Sequence, residues 1–179
     1  EATADRRRHA LVGRIERLRV GPFFGEDVDM GPVVTREALT RIRGLIARGV
    51  EEGADLAVDG RSLSLQGYEN GFFLGPSLFD RVTREMDIYK TEIFGPVLSM
   101  VRAKSYEEAL ALPSDHEYGN GVSIFTRDGG VARDFVSRVP IGMVGVNVPI
   151  PVPLAYYGFG GWKASSFGDL NQHGPDSIR

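Results

Sequence analysis

Residues 96–148 read PVLSMVRAKSYEEALALPSDHEYGNGVSIFTRDGGVARDFVSRVPIGMVGVNV, and the alternation of period along this stretch decides the fold class. The run 96–102 (PVLSMVR) has the make-up of a buried strand. Ser105 and Glu108 then form a capping box, in which each side chain can satisfy an exposed amide at a helix start. Pro113 should keep that helix short, because its ring removes an amide and crowds the preceding turn. Residues 122–126 (VSIFT) return to strand. Asp128 can cap a helix whose apolar face holds Ala132, Phe135 and Val136, and residues 142–148 (GMVGVNV) are strand again. Strands separated by single helices need crossover connections. The expected fold is therefore α/β, a largely parallel sheet with helices packed on it.

Moving toward the N-terminus, residues 62–65 and 56–58 read as short β runs divided by Asp59-Gly60, a turn pair that suggests a hairpin. Upstream, a helix beginning after Thr35 carries Leu39, Ile42, Ile46 and Val50 on one face and ends near Gly53. GPFFGEDVDMGP (21–32) is a breaker segment. The first residues form a further helix, with Leu11, Ile15 and Leu18 at i, i+4 and i+7. Toward the C-terminus, residues 146–179 contain many glycines, prolines and aromatics with little helical period. Prolines at 149, 151 and 153 remove every second ladder donor, so this piece should run extended, away from a central sheet position. Long segments of this kind inside compact domains are usually functional.

The 179 residues fit about one domain, read as spanning 1–179, large enough to bury roughly 70% of the unfolded surface. An apolar share of 42% and a net charge of −3 describe an ordinary globular chain, not a disordered one. A pI near 5.7 gives no general affinity for nucleic acid or anionic membranes. There are no cysteines, hence no disulfide, thiolate metal site or thiol nucleophile. With no apolar run of membrane-spanning length and a start too charged for a signal peptide, a cytoplasmic location is expected.

Thr91-Glu92-Ile93-Phe94-Gly95-Pro96 is the motif richest in chemistry. An ionised glutamate accepts two hydrogen bonds, which suits the adjacent hydroxyls of a ribose. A phenyl face two residues on can pack against a flat heterocycle. Taken alone, a solvated Glu92 and a core Phe94 beside a turn would give the same pattern. GFGGWK (158–163) is not a dinucleotide fingerprint, since it lacks the strand–turn–helix setting. Lys163 and Trp162 read as structural. Glu26, Asp27 and Asp29 have no histidine partner for a metal. His9, His116 and His173 are far apart and read as solvated, and Arg6-Arg7-Arg8 reads as a solvated helix face.

EIFGPV (92–97), YGNGVSIFTRD (118–128) and FGGWKAS (159–165), in this order and spacing, resemble the aldehyde dehydrogenase superfamily. GYENGFFLGPSLFDRV (67–82) and VNVPIPVPLAYYGFGGWKASSFGD (146–169) resemble the methylmalonate-semialdehyde dehydrogenase subfamily within it. The resemblance covers the whole chain. It implies a catalytic-domain fold, and an activity that oxidises methylmalonate or malonate semialdehyde with NAD and CoA to propionyl-CoA or acetyl-CoA, in valine and inositol breakdown. By the same resemblance, Glu92 would hold the nicotinamide ribose and Phe94 would lie beside the nicotinamide. Arg41 stands where some relatives contact the adenosine ribose, although an exposed helix arginine is the simpler reading. Phe159, with Tyr157 near it, would line the aldehyde tunnel, and Asn147 sits at the strand end that opens that lining.

In the family a cysteine thiolate adds to the aldehyde, and the resemblance places that cysteine before Glu1. The NAD-binding domain, the oligomerisation strand and the arginines used for the substrate carboxylate would likewise lie outside these residues. No catalytic residue is therefore expected within the chain, and by itself it should be inactive and bind neither NAD nor CoA tightly. Phe94, Ile150, Tyr156, Tyr157 and Phe159 should be exposed, an invitation to self-association. The alternative is a standalone non-catalytic domain that acts as an interaction or regulatory partner. Neither reading calls for a metal, a nucleic acid or a membrane.

Overall fold

The computed structural model describes residues 2–178, which group into two compact units divided after Arg102. The first unit holds helices α1 (Ala2–Ile15) and α2 (Arg36–Glu51), followed by strand β1 (Asp55–Val58), strand β2 (Ser77–Asp80), helix α3 (Asp87–Lys90) and strand β3 (Val97–Ser99). Its sheet has the order β1-β2-β3, with β1 antiparallel and β2 parallel to its neighbour. Every residue of the central strand β2 is buried.

Helix α2 begins where the sequence places it, because the Thr35 side chain accepts a hydrogen bond from the Ala38 amide at 3.1 Å. Leu39, Ile42 and Ile46 enter a core with Leu74, Phe79, Val82, Ile88 and Ile93. Val50 does not join them and is largely exposed. The buried position on that face is Gly49, where an added Cβ would stand 2.8 Å from Ile88 and 3.0 Å from Phe79. A glycine lets α2 approach the sheet at the point where a larger residue would hold it off.

Four further expectations are corrected in this unit. Helix α1 stops at Ile15, so Leu18 lies beyond it, past a two-residue turn, and is exposed. The hairpin across Asp59-Gly60 does not form. Asp59 instead caps a single 3-10 turn, Gly60–Ser62, and β1 pairs with β2, its partner residues lying 20 to 25 positions downstream. The 96–102 run is strand only over Val97–Ser99, and Leu98 faces solvent. The arginine triplet is also not wholly solvated. Arg8 pairs with Asp55 at 3.3 Å and with Asp80 at 3.4 Å.

Asp80 is the most enclosed charge among the described residues, at 1% exposure. Arg102 grips it with two bonds of 2.6 and 2.9 Å, and also reaches Asp5 of α1 at 2.7 Å. The Arg102 hydrogen bonds hold the Asp80 carboxyl below its ordinary range, against the opposing effect of burial. The cluster thereby ties α1 to the sheet by charge where that helix has little apolar face to offer.

The second unit contains α4 (Tyr106–Asp115), β4 (Tyr118–Gly119), β5 (Gly121–Ile124), α5 (Gly129–Arg138), β6 (Met143–Val146) and β7 (Trp162–Lys163). β5 and β6 pair in parallel through the α5 crossover, whereas β4 and β7 pair antiparallel. Thus both crossover-linked pairs, β2–β3 and β5–β6, are parallel, as an α/β fold requires. Leu110, Phe135, Val139 and Ile141 form the core. The buried partner of Phe135 is Val139, the residue just past the end of α5, and Val136 points outward.

Asp128 caps α5 through bonds of 2.7 and 3.0 Å to the Gly130 and Val131 amides. The capping box at Ser105 forms with a shift. Ser105 accepts from the Glu108 amide, but Glu108 reaches back to the Lys104 amide at 2.7 Å. Helix α4 passes through Pro113 and continues to Asp115, contrary to expectation. Proline falls in the last turn, where it forfeits a single intrahelical bond. Lys163 then closes the helix end, its ammonium donating to the carbonyls of Pro113, Ser114 and His116 at 3.0, 2.7 and 3.0 Å.

Candidate active-site walls

The sequence-selected residues fall into two groups, one in each unit. In the first, Arg41, Glu92 and Phe94 come together where the start of α2 meets the loop between α3 and β3. Ile93 is buried in the core, and the residues on either side of it face outward. Glu92 is exposed, and its carboxylate has no hydrogen-bond or ion-pair partner among the described residues. Phe94 has φ +49° and leaves its ring 76% exposed. A left-handed backbone at a bulky residue costs about 1–3 kcal/mol, and such strain collects at binding and catalytic sites.

This arrangement decides only the Phe94 half of the motif's two readings, since a solvated Glu92 belongs to both. Phe94 is not a core phenylalanine; Ile93 takes that role, and the left-handed turn presents the aromatic ring to solvent. A free carboxylate next to a free ring fits a ribose joined to a flat heterocycle, the carboxylate accepting from two hydroxyls and the ring offering its face. Arg41 directs its guanidinium at the loop itself, donating to the Ile93 carbonyl at 2.7 Å and reaching the Glu92 carbonyl at 3.5 Å. That bracing role carries no signature in the sequence, because the partner atoms are backbone carbonyls 51 and 52 residues away.

In the second unit, Asn147, Tyr157 and Phe159 do different things. Asn147 follows β6 with φ +57°, a conformation asparagine tolerates. Its amide both accepts from and donates to the Thr126 backbone at 3.0 Å, pinning the ends of the two parallel strands. Tyr157 is exposed and packs on Tyr156, with ring centroids 4.6 Å apart. Phe159 lines a cavity of about 340 Å³ together with Asn120, Met143, Ser166, Asn171 and His173. Its ring is half-buried, contrary to the expected exposure, because His173 stacks on it at 4.2 Å with the planes 3° apart.

His173 is thus part of a wall and not simply solvated. Nothing in the spacing of residues 159 and 173 announces this, since the segment between them, which includes β7, must first fold back. His116 is likewise engaged, accepting from the Tyr118 amide at 3.1 Å. Lys163 spends its donors on the end of α4, which leaves it a structural cation as the sequence suggests. Asp27 and Asp29 pair with Arg19 at 2.9 and 3.2 Å, and no metal-binding cluster occurs among the described residues. No described helix is long and apolar enough to cross a membrane.

An α/β chain with the EIFGP loop so displayed belongs to the aldehyde dehydrogenase family, whose model matches residues 1–179. Among its relatives is the malonate-semialdehyde dehydrogenase of Pseudomonas aeruginosa, 59% identical over 169 residues, which cover 94% of the chain and 34% of that protein. The acylating, mitochondrial methylmalonate-semialdehyde dehydrogenase of Arabidopsis thaliana is 47% identical over 168 residues, covering 94% and 28%. A crystal structure of a relative from Sinorhizobium meliloti, complexed with NAD, is 70% identical. It superposes with a TM-score of 0.98 over 99% of the chain and 36% of its own length. The chain therefore spans about a third of the length of these relatives.

Proposed function

We propose that these residues are the part of a CoA-acylating methylmalonate-semialdehyde dehydrogenase that supplies one cofactor wall and one substrate wall. The observation that carries this reading is the loop 92–95: an exposed carboxylate with no partner among the described residues and an aromatic ring turned outward on a left-handed backbone. The names of the relatives support the substrate class, methylmalonate or malonate semialdehyde. A relative that holds NAD supports the cofactor. CoA would receive the acyl group, giving propionyl-CoA or acetyl-CoA.

Each wall has a definable task. Glu92 accepts the two hydroxyls of the nicotinamide ribose and so fixes where the ring can lie. Phe94 covers one side of that ring and excludes water from it. NAD, when bound, supplies the hydride acceptor. Phe159, held flat by His173, offers an apolar surface to the aldehyde chain. None of these groups is a nucleophile, and the 179 residues contain no cysteine. A serine hydroxyl is far less ionised at neutral pH than a thiol, so Ser165 and Ser166 do not replace it. Ser165 moreover accepts from the Gly119 amide at 3.0 Å.

The chain by itself should therefore produce no NADH from NAD, CoA and methylmalonate semialdehyde. A chimera in which it replaces the matching segment of the Sinorhizobium meliloti relative should do so. NADH absorbance distinguishes the two. Turnover by the isolated chain, or none by a folded chimera, would overturn the proposal.

A further inference from the structure

Two adjacent residues of α2 hold the loop that carries Glu92 and Phe94. Arg41 donates to the Ile93 carbonyl at 2.7 Å and reaches the Glu92 carbonyl at 3.5 Å. Ile42, fully buried, lies so close to Gly95 that a Cβ there would stand 2.5 Å from its Cδ1. Between these two contacts the Ile93 side chain enters the core. The carbonyls that Arg41 engages belong to the peptide planes on either side of Ile93. Holding both planes sets the direction in which the chain enters Phe94, where the left-handed turn occurs. A strained residue keeps its conformation only when its surroundings over-determine it. Arg41 on one side and the Gly95–Ile42 contact on the other supply that constraint.

We infer that Arg41 is a positioning residue: it sets where the Glu92 carboxylate and the Phe94 ring stand, and acts on the cofactor only through them. This rests on the reading of Glu92 as a ribose-binding group. The planar fork of an arginine can serve two carbonyls at once, whereas a lysine ammonium is a point donor with no fixed geometry. Lysine at this position should therefore preserve part of the effect and alanine none.

Hydrogen exchange on the 179-residue chain reads the loop directly. The Thr91 amide donates to the Asp87 carbonyl at 2.8 Å, and the Val97 amide to the Gly95 carbonyl at 2.7 Å, so these two report from either end. Arg41→Ala should speed their exchange about tenfold or more, with Arg41→Lys intermediate and the amides of α2 around Ile46 unchanged. If Arg41→Ala also opens α2, the lysine variant decides: faster loop exchange over an intact α2 supports the inference, and an unaltered loop overturns it. In the chimera, Arg41→Ala should weaken NAD binding about tenfold by calorimetry. Weaker NAD binding with unaltered loop exchange would make Arg41 a direct contact and overturn the inference. A faster loop in Arg41→Ala, together with unchanged NAD affinity in Glu92→Gln, would instead overturn the ribose reading and leave Arg41 as a brace of the fold.

Discussion

Phe94 and Asp80 show two ways in which a single residue departs from what its type would choose. Phe94 adopts a left-handed backbone that asparagine or glycine would occupy with less strain. Phe94→Asn should therefore leave the chain at least as stable, by up to about 1 kcal/mol in urea unfolding, while the chimera loses NAD affinity. A large loss of stability would mean that the ring is needed by the core. Asp80 is a carboxylate almost fully enclosed and shared by Arg102 and Arg8. Removing it leaves Arg102 to Asp5 and Arg8 to Asp55, so Asp80→Ala should cost about 1–3 kcal/mol. Its folded pKa is depressed, so the stability it contributes is present above the ordinary aspartate range and is lost as pH falls through the lowered value. Urea midpoints measured from neutral to acid pH should fall more steeply for the native chain than for Asp80→Asn. Parallel slopes would remove Asp80 from the acid response.

At the scale of elements, the helix starts were legible because caps are local chemistry. Thr35, Ser105 and Asp128 each accept from amides two or three residues ahead, within reach of pattern reading. Interior faces were legible near the helix starts and drifted toward the ends, as with Val50 against Gly49 and Val136 against Val139. Pairing partners were not legible. β1 chose β2 over the nearer 62–65 run, and the end of α4 is fixed by Lys163, 48 residues beyond Asp115. Glycine at 49 gives an element-scale test. Gly→Ala inside a helix normally gains up to about 1 kcal/mol. Gly49→Ala should instead destabilise by about 1–3 kcal/mol, because the methyl meets Ile88 and Phe79. A stabilised variant would mean that α2 can move off the sheet. Nor was the site fully legible. Glu92 and Phe94 stood out by their motif, but the bracing by Arg41 and the stacking of His173 on Phe159 depend on atoms distant in sequence.

The chain belongs to the aldehyde dehydrogenase family along its full length, yet it contains no thiol and spans about a third of its relatives. Exposed aromatic and aliphatic side chains, Phe94 in one unit and Ile150, Tyr156 and Tyr157 in the other, should promote self-association of the isolated chain. Light scattering over a concentration series should show species larger than a monomer; a strictly monomeric chain at high concentration would argue against it. The proposed function rests most on Glu92 as the ribose-binding carboxylate. Calorimetric titration of NAD into the chimera, with and without Glu92→Gln, tests that directly. Loss of one charged acceptor should weaken binding about tenfold with the fold intact, and an unchanged dissociation constant would contradict it.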